Sequence, residues 1–200
     1  MENYRNSVLL RGCIVSPPKF SHENHDRMFY TFPLRVRRLS GNEDIINVVA
    51  DRKLLESVDP NGGTCITVSG ELRSFNNRSG NGSRLVITVY AFELEEDEGE
   101  HINEVRVTGA VCKPPVFRTT PLGRDICDVM LAVNRKYRRT DYLPVIVWGR
   151  SAREVADLPV GTELRINGRI QSRSYIKVKD GISSERTAFE VSAVDVEVVD

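Results

Sequence analysis

Apolar and polar residues alternate with a period of two along most of this chain, the pattern of strands with one face buried. In the second half, Val105 and Val107 alternate with polar neighbours and open a strand. Further runs predict strands over residues 126–133, 143–148, 164–170 and 187–198. Between the third and fourth of these strands the period changes. Ser151 and Glu154 have capping-box spacing, a hydroxyl at the N-cap and a carboxylate three residues on. Ala152, Val155 and Ala156 supply one apolar helix face, and Gly161 ends the connection. The first half has the same layout. Asp51 is placed to cap a short helix carrying Leu54, Leu55 and Val58, closed by Gly62 and Gly63.

The two halves also match residue by residue. Asn6-Ser-Val-Leu-Leu-Arg-Gly12, followed by Pro17, Pro18 and Phe20, is answered 97 positions later by Asn103-Glu-Val-Arg-Val-Thr-Gly109, Pro114, Pro115 and Phe117. Leu34, Val36 and Arg38 answer Leu131, Val133 and Arg135. With a one-residue slip, Gly63, Thr64 and Gly70 answer Gly161, Thr162 and Gly168. A repeat of this length is two copies of a domain, because each copy is long enough to close its own core. Five strands with a helix between the third and fourth is the order of a small Greek-key barrel, the OB-fold. The expected architecture is therefore all-β, two tandem OB-folds, over residues 1–98 and 99–200. Strand count alone does not separate this from a β-sandwich. The acidic run from Glu93 to Glu100 reads as a solvated linker, with the boundary near Gly99.

Composition narrows the class further. Two hundred residues with 40% hydrophobic and 28% charged content suit two small globular domains. No apolar run nears membrane-spanning length, and the start lacks the pattern of a signal peptide, so a cytoplasmic protein with no membrane partner is expected. None of the four cysteines forms a C-x-x-C pair. Cys13 falls opposite Ala110 in the repeat and Cys112 opposite Val15, which predicts buried reduced thiols. The formal net charge of zero argues against coating duplex DNA by bulk attraction, but not against a local basic groove. Of the 28 cationic residues 22 are arginine, which offers a planar fork for phosphate and a flat face for bases.

Candidate chemistry gathers in the second copy. Strand parity puts Arg169, Gln171, Arg173, Tyr175, Lys177 and Lys179 on one face, and Ile166, Ile170, Ile176 and Val178 on the other. Cations around an aromatic ring are what single-stranded nucleic acid needs, to track its phosphates and receive its unstacked bases. A solvated outer face that happens to be basic would read the same way. Two further clusters favour nucleic acid: Arg135, Lys136, Arg138 and Arg139 surround Tyr137, and Tyr142 and Trp148 share a face of the third strand. Trp148 taken alone reads equally well as a core aromatic.

At these residues the second copy resembles the bacterial single-stranded-DNA-binding protein family. The matching stretches are Asn103-Glu-Val-Arg-Val-Thr-Gly109, Thr120-Pro-Leu-Gly123, Leu131-Ala-Val-Asn-Arg135, Val145-Ile-Val-Trp148 and Gly168-Arg-Ile-Gln-Ser-Arg-Ser-Tyr175. The resemblance implies an OB-fold that wraps single-stranded DNA with little sequence preference, in replication, recombination or repair. It also implies base stacking at four sites, which fall on Tyr137, Tyr142, Trp148 and Tyr175. In the first copy the corresponding positions are Ser40, Ile45, Asp51 and Asn77, without a ring among them. Phe75 beside Arg73 is the expected substitute, with Arg35 and Arg37 open to phosphate. That copy is then either a weak accessory binder or mainly a scaffold, and the reading favours the binder. Family members pair subunits to assemble four OB-folds, which implies a homodimer here. They also carry an acidic recruiting tail, which the terminal stretch from Val194 to Asp200 does not resemble, so recruitment of replication or repair proteins through a tail is not expected.

Other functions find less in the sequence. His22, His25 and His101 lie away from the aromatic residues, and His22 with His25 reads as a solvated loop rather than a metal site. No catalytic constellation, metal or cofactor is expected. The stronger rival is an OB-fold adaptor in a primosome-like or replication complex, acting through protein–protein contacts.

Overall fold

A computed structural model of the chain describes residues 5–77, 84–135, 139–179 and 182–199, with the side chains of Lys177, Lys179 and Ile182 left aside. The first copy comprises strands β1 (Asn6–Ile14), β2 (Lys19–Asn24), β3 (Arg27–Arg37) and β4 (Glu43–Asp51), helix α1 (Arg52–Leu55), then β5 (Cys65–Asn76) and β6 (Leu85–Glu96). The second repeats it: β7 (Ile102–Val111), β8 (Val116–Thr119), β9 (Asp125–Arg135), β10 (Arg139–Trp148), α2 (Gly149–Val155), β11 (Glu163–Lys179) and β12 (Ile182–Val199). In the first copy the strand order is β2-β3-β4-β6-β5-β1, and β1 also pairs with β3, so five strands close a barrel. In the second the order is β7-β11-β12-β10-β9-β8, closed by β7 on β9. β4 pairs with β6, and β10 with β12, in parallel. Two OB-folds therefore stand in tandem, and the sandwich alternative falls away.

By compactness the chain divides into residues 7–73 with 88–104, and residues 105–200 with 1–6 and 74–87. Among the described residues no helix is long and apolar enough to cross a membrane.

Alternation explains each core. Along β1, Val8, Leu10 and Ile14 point inward, joined by Phe32, Leu34 and Val36 of β3 and Ile66, Val68 and Leu72 of β5. The second copy buries Val107, Leu131, Val133, Leu143, Leu164, Ile166 and Ile170 in the same way. Closure brings backbones into contact where the repeated glycines lie. A Cβ on Gly12 would strike the Arg35 carbonyl oxygen, and one on Gly109 would lie 2.8 Å from that of Ala132.

Four expectations need correction. The acidic run is not all linker: β6 extends to Glu96, because Leu94 is buried while its glutamate neighbours meet solvent. Ser151 and Glu154 do not form a capping box. Gly149, at φ 61°, turns the chain straight from β10 into α2, so the helix starts earlier, with Trp148 at the N-cap and no side-chain cap bond. His22 and His25 are not in a loose loop. β2 and β3 form a hairpin turning on His25 and Asp26, both at positive φ as two-residue hairpins prefer. Finally, Cys13 and Cys65 form a disulfide, because antiparallel pairing of β1 with β5 sets them directly opposite with Cα atoms 3.9 Å apart. Cys112 and Cys127 stay free, and burial pushes both thiols up, away from the reactive thiolate.

Each barrel also holds a repeated ion pair at the turn between its second and third core strands. Arg38 donates two 2.6 Å bonds to Asp44, which is fully buried. Their repeat counterparts, Arg135 and Asp141, approach to 3.1 Å with Asp141 also fully buried. Removing one partner of a buried pair leaves an uncompensated charge. Asp44→Ala is therefore expected to cost about 3–5 kcal/mol in urea unfolding. A loss below about 1 kcal/mol, the value of an exposed pair, would contradict this role.

Candidate nucleic-acid interface

The outer faces of β10, β11 and β12 adjoin in the second barrel, and the aromatic candidates stand on them. Trp148 ends β10, opposite Ile126 of β9. Its Nε1–H donates to Ser192 Oγ on β12 at 3.0 Å, and the side chain remains 37% exposed. The indole is thus fixed by its edge at the surface and is not a core residue. Beside it runs a groove lined by Gly123, Arg124, Asp125, Gly149, Arg150 and Arg153. Tyr142, 48% exposed, begins the same strand face six residues earlier, about 20 Å away at strand rise. Its backbone N–H donates to Ser74 Oγ, and the Ser74 N–H donates to Asp141, each at 2.7 Å within the same compact unit.

β11 continues the surface. Arg169 lies directly across from Ser192, so it stands next to the anchor of Trp148. Its Nε is buried and has no hydrogen-bond partner among the described residues. Gln171 donates to Glu190 at 3.0 Å, and exposed Arg173 lies 3.5 Å from the same carboxylate. Tyr175 is half-buried, opposite Arg186 of β12. The last pairing of β11 with β7 is at Gly168, so among the described residues the outer reach of β11 is strand-paired with β12. That is why Ile176 and Val178 are 72% and 65% exposed although they share a face with buried Ile166 and Ile170.

The other expected site residues are placed unevenly. Arg139 is exposed at the start of β10, but Arg135 turns toward Asp141 and serves the fold first. Tyr137, Lys136 and Arg138 lie outside the described residues, as do the side chains of Lys177 and Lys179. In the first copy, Arg35 and Arg37 both lean on Glu43 at 3.4 Å. Phe75 is exposed on β5, and Arg73 pairs with Glu71 while its guanidinium covers the Tyr90 ring at 4.6 Å.

Sequence reasoning found Arg169 but missed Arg124, Arg150 and Arg153 beside Trp148. It also missed Arg186, although counting equal steps outward from the Asp180-Gly181 pair sets it opposite Tyr175. Arg124 is distant in sequence from Arg150 and Arg153, and meets them only because α2 packs beside the β8–β9 connection.

The family model described as the single-strand binding protein family matches residues 102–199. The single-stranded DNA-binding protein of Clostridium tetani is 35% identical over 106 residues, which cover 50% of this chain and 71% of that one. The chain belongs to the single-strand binding protein family. Within that family, single-stranded DNA-binding protein A of Bacillus subtilis is 35% identical over 81 residues, 37% of this chain and 47% of its own length. The chain thus matches about half the length of that relative. The crystal structure of the wild-type single-stranded DNA binding protein from Thermus aquaticus superposes with a TM-score of 0.79 at 22% identity, covering 98% of this chain and 93% of that one. That likeness carries the fold through both copies.

The groove offers a pH test. Arg153 donates to Asp125 at 2.7 Å, and this bond, helped by Thr119, holds the carboxyl below the usual carboxylate range. A lowered folded value means the tie is fully present above the unfolded value and lost as pH falls through the folded one. Emission of Trp148, the single tryptophan, should stay constant through the ordinary aspartate value of 3.8 and change only below it. Asp125→Asn should remove that step. A transition centred at the ordinary value would contradict the coupling.

Proposed function

We propose that the protein binds single-stranded DNA with little sequence preference, chiefly through the second copy, and serves replication, recombination or repair. The observation that carries this reading is Trp148, tethered by its edge at the surface and flanked by Arg124, Arg150, Arg153 and Arg169. A fixed ring receives an unstacked base, and the arginines receive the phosphates on either side. Tyr142 and Tyr175 extend the surface well beyond the size of one nucleotide, which suits a polymer rather than a small ligand. The relatives named above carry the single-stranded-DNA-binding name, and this favours the reading over an adaptor acting through protein contacts alone.

Stacking supplies the selective element. In a titration with labelled dT oligonucleotides, Tyr175→Ala should weaken binding by about 1–3 kcal/mol, the value of one base–aromatic stack. Phosphate contacts should make affinity fall by about 0.7 of a log unit per contact per decade of salt. Unchanged affinity for Tyr175→Ala together with indifference to salt would contradict the proposal.

Two chains would bring together four OB-folds, and a homodimer is the assembly this reading expects. Edge strand β8 leaves Val116 and Phe117 exposed, a pairing edge of the kind assemblies use. Light scattering should give twice the 22.6 kDa of one chain, and a single-chain mass would overturn the dimer.

A further inference from the structure

The first barrel has no ring at the four positions where the second has one, yet its outer face holds a row of them. Phe29 lies 5.8 Å from Tyr90, and Tyr90 lies 5.7 Å from Phe92, centroid to centroid. His22 stacks on Phe29 at 4.9 Å with its plane only 12° away. Cations sit over these rings: the Arg27 guanidinium at 5.5 Å from the Phe29 centroid and that of Arg73 at 4.6 Å from Tyr90.

The place of this row in the barrel says what it is for. Val49 pairs with Tyr90 across β4 and β6, and its repeat counterpart Ile146 pairs with Ser192 across β10 and β12. Tyr90 therefore occupies the position of Ser192, the residue that anchors Trp148. Asp51 occupies the position of Trp148, and its carboxylate is turned to other work, accepting from Lys53 N–H at 2.8 Å and Arg27 Nε at 2.5 Å. The aromatic ring has moved one strand over, from the end of β4 to β6, while staying at the same spot on the barrel. Phe29, opposite Asp51, replaces Ile126; it is buried against His22, Arg27 and Tyr90 and supports the row, while Tyr90 and Phe92 reach the surface. An outer-face cluster serving only as cover would be closed over by its neighbours. Here Phe92 is 50% exposed, and Arg27 and Arg73, each paired with a carboxylate (Asp51 and Glu71), keep their guanidinium groups over the rings.

The geometry points to a second base-stacking site for single-stranded DNA on the first copy, with Tyr90 and Phe92 as the platform and Arg27 and Arg73 at the phosphates. This rests on the proposed function above. Base–aromatic stacking tolerates any sequence, so a ring supplied from β6 does the same service as one supplied from β4. Phe75, the substitute expected from sequence, is exposed on β5 and is not part of this platform.

The test uses the full chain and labelled dT oligonucleotides of increasing length, followed by fluorescence anisotropy. Phe92→Ala and Tyr90→Ala should each lower affinity about tenfold for oligonucleotides long enough to reach both copies, and Tyr90→Phe should retain wild-type binding. The shortest bound oligonucleotide, held by the second copy, should be unaffected. Phe92 is half exposed, so its replacement leaves the barrel core intact. Independently of any variant, photocrosslinking of bromodeoxyuridine-substituted DNA to the wild-type chain should mark the peptide carrying Tyr90 and Phe92. Wild-type affinity of both alanine variants at every length, with crosslinks confined to the second copy, would overturn this site while leaving the proposed function standing. A wild-type chain that binds no dT at all would overturn both.

Discussion

Everything in this molecule depends on closing a barrel of only five strands. The first strand of each copy must pair with two others at once, β1 with β3 and β5, β7 with β9 and β11. Such a tight closure presses one backbone onto another. A side chain on Gly70 would strike the Tyr90 carbonyl oxygen, and one on Gly168 would strike that of Ser192. Glycine is therefore required at the same places in both copies. The contact it permits sets β5 against β6, and β11 against β12, at the two residues around which the candidate surfaces are built. Fold and function meet at those two glycines.

Within a frame so constrained, the two copies have diverged where the frame does not decide. The buried pairs Arg38–Asp44 and Arg135–Asp141 are retained because each closes a turn that the barrel needs. The outer faces carry no such requirement. The second copy fixes an indole from β10 onto a serine of β12, and the first puts a tyrosine where that serine would be. A surface of rings and arginines survives in both because it can be assembled from more than one strand.

Much of this was legible in the sequence. Alternation revealed the strands, the repeated glycines revealed the two barrels, and the parity of β11 put Arg169, Arg173 and Tyr175 on one face. What escaped depends on distances across the chain rather than along it. Cys13 and Cys65 are 52 residues apart and meet only through the register of β1 with β5. Arg135 reads as a free cation until Asp141 is found buried beneath it. The rings of the first copy were missed because repeat alignment asks what stands at the same position. The answer there lay on the adjacent strand. Ile176 and Val178 share the parity of buried Ile166 and Ile170, and only the length of β11 beyond its last pairing with β7 shows why they are exposed.

One ring reports on the central claim, because Trp148 is the single tryptophan in the chain. If a base stacks on it, adding dT oligonucleotide should quench its emission to saturation, along the same curve as binding followed by anisotropy. The account requires that quenching to survive in Asp44→Asn, which alters the other barrel, and to weaken in Arg150→Gln, which alters the groove beside the ring. DNA binding with the emission of Trp148 unchanged would contradict the account.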